Sequence, residues 1–180
     1  MIGNDVVDLQ LAKTQSNWQR KGFLEKQFSE NEIKAIEKAQ NPFELVWLFW
    51  SMKEAAYKCY IQTDKKRFFA PKKFKCFITS KNEGFVQYLE HTFKIQYQLT
   101  KEYIHSWVVK EGIVQKSFYI NNIKKQSTTT NQNLLNNFTL ETDIKKDEFG
   151  VPYLSKENQK LPVFISTAHH GNYGAYAIFK

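Results

Sequence analysis

The residue patterns predict an α+β fold in which an antiparallel sheet packs against a few helices. Three observations carry this: a β-branched run opens the chain, apolar residues at helical spacing fill positions 29 to about 61, and residues 72–120 alternate aromatic or β-branched positions with Lys, Gln and Thr. The opening run, Ile2 to Leu9, is short and bounded by polar sequence, so it reads as a strand. Its alternation puts Gly3, Asp5, Val7 and Leu9 on one face and Ile2, Asn4, Val6 and Asp8 on the other, so each face carries one carboxylate among apolar neighbours. Ser29, ahead of Glu30 and Glu32, is an N-cap for a helix over about 29–40 that Asn41-Pro42 stops. A second helix over about 43–61 is the most apolar element in the sequence.

Between 72 and 120 the runs Phe74/Cys76/Ile78, Phe85/Gln87/Leu89, Phe93/Ile95/Tyr97/Leu99, Tyr103–Val109 and Ile113–Ile120 read as strands of an antiparallel meander. Turns at Asn82-Glu83-Gly84 and Glu111-Gly112 punctuate it. Residues 121–137, rich in Asn, Ser and Thr, read as a long flexible loop. A turn at Gly150-Val151-Pro152, a strand from Val163 to Thr167, a turn near His170-Gly171-Asn172 and a strand from Tyr173 to Phe179 complete the chain.

At 180 residues the sequence fits one domain spanning 1–180, and 42% hydrophobic with 16% aromatic residues is enough to build a core, which excludes disorder for most of it. The balance 26 − 18 = +8 is almost wholly lysine, since Arg occurs only at Arg20 and Arg67. It points to an anionic partner: nucleic acid, a phosphorylated cofactor, an anionic membrane or an acidic protein. The longest apolar run, Leu45 to Trp50, is far shorter than the ~20 residues of a membrane-crossing helix, and Asp5 and Asp8 interrupt any signal-peptide pattern. Cys59 and Cys76 have no metal-ligand spacing and read as reduced thiols of a cytoplasmic protein. Phe68-Phe69 after Lys65-Lys66-Arg67 is one basic-aromatic cluster, without the repeated stacking platform of single-strand binders, so no nucleic-acid partner is expected.

At 100° per residue, Leu45, Leu48, Phe49, Met52, Ala55, Ala56 and Cys59 share one core face of the second helix, while Trp47, Trp50, Tyr57 and Ile61 bracket Glu54. Lys58 is the i+4 neighbour of Glu54, and Lys53 lies one step around. As a plain helix pair, Glu54 and Lys58 contribute roughly a few tenths of a kcal/mol. Among aromatics, however, a carboxylate is costly unless paired, which makes Glu54 a candidate for metal ligation or proton abstraction. Asp5 and Glu54, on separate elements, suffice for one hard divalent cation such as Mg2+, which commonly takes one or two carboxylates plus phosphate oxygens. Lys53 and Lys58 then neutralise the phosphates.

Three blocks of sequence resemble the 4′-phosphopantetheinyl transferase superfamily. Ile2-Gly3-Asn4-Asp5-Val6-Val7-Asp8-Leu9 is similar to its Gly-x-Asp strand, and Trp50-Ser51-Met52-Lys53-Glu54-Ala55-Ala56-Tyr57-Lys58 to its aromatic-Ser-x-Lys-Glu-Ala helix. Gly150-Val151-Pro152 and Ile165-Ser166-Thr167-Ala168-His169 are similar to its Gly-Lys-Pro and Ser-x-Ser-His segments. The acids stand 54 − 5 = 49 positions apart, as that family expects. Block order resembles the single-unit holo-acyl-carrier-protein synthases, while the wording of the helix is closer to the two-unit type. Asn4, Val151 and Ala168 depart from the pattern.

The resemblance implies the superfamily's fold and the transfer of 4′-phosphopantetheine from coenzyme A to a serine of an acyl or peptidyl carrier protein, with Mg2+ and release of 3′,5′-ADP. It implies Asp5 and Glu54 as metal ligands, Glu54 acting also on the serine, and Lys58 on the diphosphate. Lys53, His169 and, more weakly, Ser166 are implied contacts of the cofactor. Asp8, facing away from Asp5, is as well suited to a structural role. Expected partners are coenzyme A and an acidic carrier protein, with no membrane. An oligomer is possible, since short members form trimers and tandem members are monomers. The alternatives are a non-catalytic member that binds the carrier or coenzyme A, and third a nucleic-acid-binding module.

Overall fold

A computed structural model describes residues 1–64, 68 and 70–180, so the basic-aromatic cluster at 65–69 lies largely outside the described residues. The predicted opening strand is β1, Asn4–Asp8, and all five of its residues are buried. Its C-terminal end turns directly into α1, Leu9–Gln15, because the Asp8 carboxylate accepts from the N–H groups of Gln10 and Leu11 and caps the helix. Short α2, Phe23–Gln27, precedes α3, Glu30–Lys38. The predicted Ser29 cap is present as a capping box, Ser29 Oγ accepting from Glu32 N–H and the Glu32 carboxylate accepting from Ser29 N–H. The apolar helix is α4, Pro42–Asp64.

β2, Lys75–Ser80, β3, Glu83–Tyr88, β4, His91–Leu99, and β5, Tyr103–Val108, form the predicted meander, but β6, Val114–Tyr119, does not continue it. One edge of β5 pairs with β4 and the other with β1, giving the order β1-β5-β4-β3-β2. With both edges of β5 taken, the chain reverses at Gly112, in the left-handed region at φ 77°, and β6 joins a second sheet. That sheet runs β6-β10-β9-β8-β7, with β7 at Thr142–Lys146, β8 at Pro152–Lys156, β9 at Gln159–His170 and β10 at Tyr173–Phe179.

The stretch 121–137 is not the predicted loop. It holds a 3-10 turn at Ile123–Lys125 and then α5, Gln126–Leu135, whose Leu134 is fully buried with Leu154, Ile165, Tyr176 and Ile178 of the second sheet. The polar composition has little helical propensity of its own, so docking of this apolar stripe supplies what local sequence lacks.

The main core lies between α4 and the first sheet and is built from residues such as Leu48, Met52, Ala55, Val86, Ile95 and Ile104. Gly3 sets how closely α4 approaches: a Cβ there would stand 2.0 Å from the Ala55 carbonyl oxygen and 2.6 Å from Cys59 N.

Lys53, predicted to meet cofactor phosphates, belongs to this core. It is 0% exposed and salt-bridged at 2.9 Å to Glu32, itself 2% exposed. Its ammonium also donates to the carbonyls of Pro71, at 3.0 Å, and Phe74. Glu32 Oε1 in turn accepts from Cys76 N–H at 2.8 Å. One residue's turn of the helix carries Lys53 100° away from Glu54 and into the joint between α3, α4 and the start of β2, where no phosphate reaches it.

Two outcomes follow for stability. Lys53→Ala leaves the Glu32 carboxylate buried and unpaired and lowers unfolding free energy by about 3–5 kcal/mol in denaturant titration, whereas the Lys53→Met, Glu32→Leu double variant recovers much of that loss. Gly3→Ala forces backbone apart from backbone and lowers Tm more than Gly22→Ala, where no atom lies within 4 Å and only the left-handed φ of 79° is strained.

Candidate active site

The exposed side of α4 carries Glu54, Tyr57, Lys58, Ile61 and Gln62, at the i, i+3, i+4, i+7 and i+8 positions that share one helical face. They form one wall of an open cavity of about 220 Å³. The opposite wall comes from the second sheet: Lys146 at the end of β7, then Phe149, Gly150, Val151 and Pro152 at the turn into β8, with Ser166 and Thr167 of β9. Two of the sequence blocks, far apart in the chain, thus face each other.

The third block reaches the same place through β1. Gly3, Asp5 and Val7 share the face that looks onto α4, and Lys58 Nζ donates to Asp5 Oδ1 at 2.9 Å and to the Asn4 carbonyl at 3.0 Å. The i,i+4 partner expected from sequence, Glu54, is not what Lys58 pairs with. Among the described residues Glu54 makes no hydrogen bond or ion pair, and burial, followed by the repulsion of the Asp5 carboxylate, raises its pKa from 4.5 to about 7, with Lys58 opposing. Two carboxylates on adjoining elements therefore face one lysine, a charge imbalance that a bound divalent cation would relieve. No group of three or more His, Cys, Asp or Glu side chains suited to a metal occurs among the described residues, so a cation here would draw its remaining ligands from phosphate or water, as suits Mg2+.

Behind this pair the groups are neutral and fixed. Ser51 Oγ donates to the Asp5 carbonyl at 3.3 Å, and Asn4 Nδ2 lies 3.3 Å from His105 Nε2. Burial, then the Lys58 charge, pushes His105 down to about 3, so it stays an uncharged partner. His169 is exposed near the mouth, its pKa lowered first by desolvation and then by the cations of Lys58 and Lys146.

Of the predicted site residues, Asp5, Glu54 and Lys58 come together, Ser166 lines the cavity and His169 lies within reach of their charges. Ser166 is only 3% exposed, and its hydroxyl accepts from Asn4 N–H at 3.0 Å, so it also ties β9 to β1. Lys53 lies outside the cavity, buried against Glu32 as described above. Asp8 is structural: besides capping α1 it accepts from Asn172 N–H at 2.9 Å, and its own N–H donates to His170 Nδ1 at 3.0 Å. The departures at Asn4 and Ala168 are also interior. Asn4 is 0% exposed beside His105, and Ala168 packs with Val6 and Ala175 where the two sheets meet. Tyr57, placed beside Glu54 from sequence, and Thr167, within the Ser/His block, line the cavity without having been given a role. Gln62, Lys146 and Phe149 were not found from sequence; helical spacing from Glu54 could have flagged Gln62, but nothing local marks Lys146.

The raised pKa of Glu54 has a measurable sign. The folded protein keeps a proton that the unfolded chain releases, so stability held below pH 4.5 is lost as pH rises toward about 7. In a chelator, wild type falls in Tm relative to Glu54→Gln between pH 5 and 8 by about a few degrees. Added Mg2+ restores wild type at pH 8 and not the variant.

None of the curated proteins compared with the chain matches it. The sequence model of the 4′-phosphopantetheinyl transferase superfamily matches residues 1–111, which hold β1, α4 and the whole first sheet, and with them Gly3, Asp5, Glu54 and Lys58. Two antiparallel sheets with a few helices are the α+β architecture that the resemblance implied. By this match over more than half of its length, the chain belongs to the 4′-phosphopantetheinyl transferase superfamily.

Proposed function

We propose that this chain transfers 4′-phosphopantetheine from coenzyme A to a serine hydroxyl of an acidic apo acyl or peptidyl carrier protein, releasing 3′,5′-ADP. The observation that carries the reading is the meeting of Asp5, Glu54 and Lys58 at one end of an open cavity large enough for part of a nucleotide. Asp5 and Glu54 would hold Mg2+, which when bound supplies charge neutralisation for the diphosphate.

The chain's own residues do the rest. Lys58, anchored by Asp5 and the Asn4 carbonyl, faces the diphosphate and stabilises the negative charge that grows on the departing 3′,5′-ADP oxygen. Glu54, beside the reacting groups, accepts the proton of the carrier serine as its oxygen bonds to phosphorus and the phosphorus–oxygen bond to 3′,5′-ADP breaks. His169, its pKa lowered first by desolvation and then by nearby cations, contacts a cofactor phosphate at the edge of the site. In-line transfer needs positioning and charge more than covalent help, and a half-buried rigid helix supplies the positioning.

The lysine-rich surface, +8 overall, favours encounter with an acidic carrier and weakens with salt. The free, buried thiols of Cys59 and Cys76 support a reducing, cytoplasmic setting.

Incubation with coenzyme A, Mg2+ and a panel of apo carrier proteins should add the phosphopantetheine mass to at least one carrier. Glu54→Ala and Lys58→Ala each lower the rate by about 10²-fold or more with the fold intact by circular dichroism. Coenzyme A binding without transfer to any carrier would overturn the catalytic reading in favour of a non-catalytic binding protein.

A further inference from the structure

Of the cations that line the cavity, Lys58 already holds two acceptors of the fold. Its ammonium lies 2.9 Å from Asp5 Oδ1 and 3.0 Å from the Asn4 carbonyl, so much of its charge is neutralised before any ligand arrives. Lys146 is different. It ends β7, opposite Pro152 in the ladder with β8, and stands on the wall that faces Glu54 and Lys58. It is exposed and makes no hydrogen bond or ion pair among the described residues. Its neighbour Lys145 points to the other side of the strand, where its Nζ donates to Asn158 Oδ1 at 2.8 Å. Strand alternation thus separates two adjacent lysines into one that braces the β8–β9 turn and one that serves the cavity. The effect of Lys146 is already felt there, since its charge and that of Lys58 both act against protonation of His169.

A ligand with several phosphates gains most from a cation that is not already paired and costs no salt bridge to recruit. We propose that Lys146 is a phosphate-binding residue of this site, contacting a phosphate of the coenzyme A donor from the wall opposite Lys58. This rests on the function proposed above, and it assigns part of the binding site to the region beyond residue 111, outside the matched family segment. Being exposed, Lys146 can be replaced with little effect on the fold.

Calorimetric titration of coenzyme A in Mg2+ at low salt compares wild type with Lys146→Ala, Lys146→Arg and Lys145→Ala. Loss of the Lys146 charge should raise Kd about tenfold or more, Lys146→Arg should restore most of the affinity, and Lys145→Ala, an equal change in net charge, should leave Kd within about twofold. Repetition with dephospho-coenzyme A locates the contact: a defect that persists places it on the diphosphate, and one that vanishes places it on the 3′-phosphate. An unchanged Kd for Lys146→Ala, or an equal loss for Lys145→Ala, overturns the inference while leaving the proposed function standing. If wild type itself binds no coenzyme A, the function falls and this inference with it.

Discussion

The close approach of β1 to α4 is the constraint on which the site depends. Only a residue without a Cβ fits at Gly3, because the Ala55 carbonyl and Cys59 N occupy that space. Two residues further along the same face, Asp5 is thereby brought within 2.9 Å of Lys58, and the Asn4 carbonyl within 3.0 Å. Gln62, about two turns on from Glu54, closes the contact by accepting from Ile2 N–H at 2.9 Å and donating to the Ile165 carbonyl at 3.0 Å. A wider spacing would leave Asp5 and Glu54 as unrelated carboxylates.

The other face of β1 does equal service. Val6 packs with Ala168 and Ala175, and Ser166 and Asn172 are held by hydrogen bonds with Asn4 and Asp8. Gly171, at φ 56°, lies so near Asp8 that a Cβ would stand 2.2 Å from Asp8 Oδ2. A five-residue strand therefore binds helix and second sheet together, and the cavity wall at 146–152 is placed by this seam. The small residue at Ala168 is needed for the seam to close, which accounts for its identity without reference to a ligand.

Two lysines in α4 show how one helix sorts charge. Lys53 is enclosed with Glu32 and two backbone carbonyls, every partner supplied by the fold, so it stabilises the joint it fills and has nothing left for a ligand. Lys58 is 27% exposed and Glu54 keeps an elevated pKa, so the electrostatics there are incompletely balanced. Incomplete balance beside a cavity marks a functional site more securely than charge among aromatics does.

Much of this was legible in the sequence. Period-2 alternation put Asp5 and Asp8 on opposite faces of the first strand, Ser29 and Asn41-Pro42 bounded a helix, and the charges of Glu54 and Lys58 on an apolar helix singled out a candidate site. These are local properties, set by backbone geometry within a few residues. The direction of Lys53, the choice of Asp5 over Glu54 as partner of Lys58, the departure of β6 to the second sheet, the folding of 126–135 into α5 and the arrival of Lys146 opposite Glu54 were decided by tertiary structure. Each depends on which surface meets which across tens of residues, and a buried lysine and a ligand-facing one look alike in sequence until packing determines which of them water can reach.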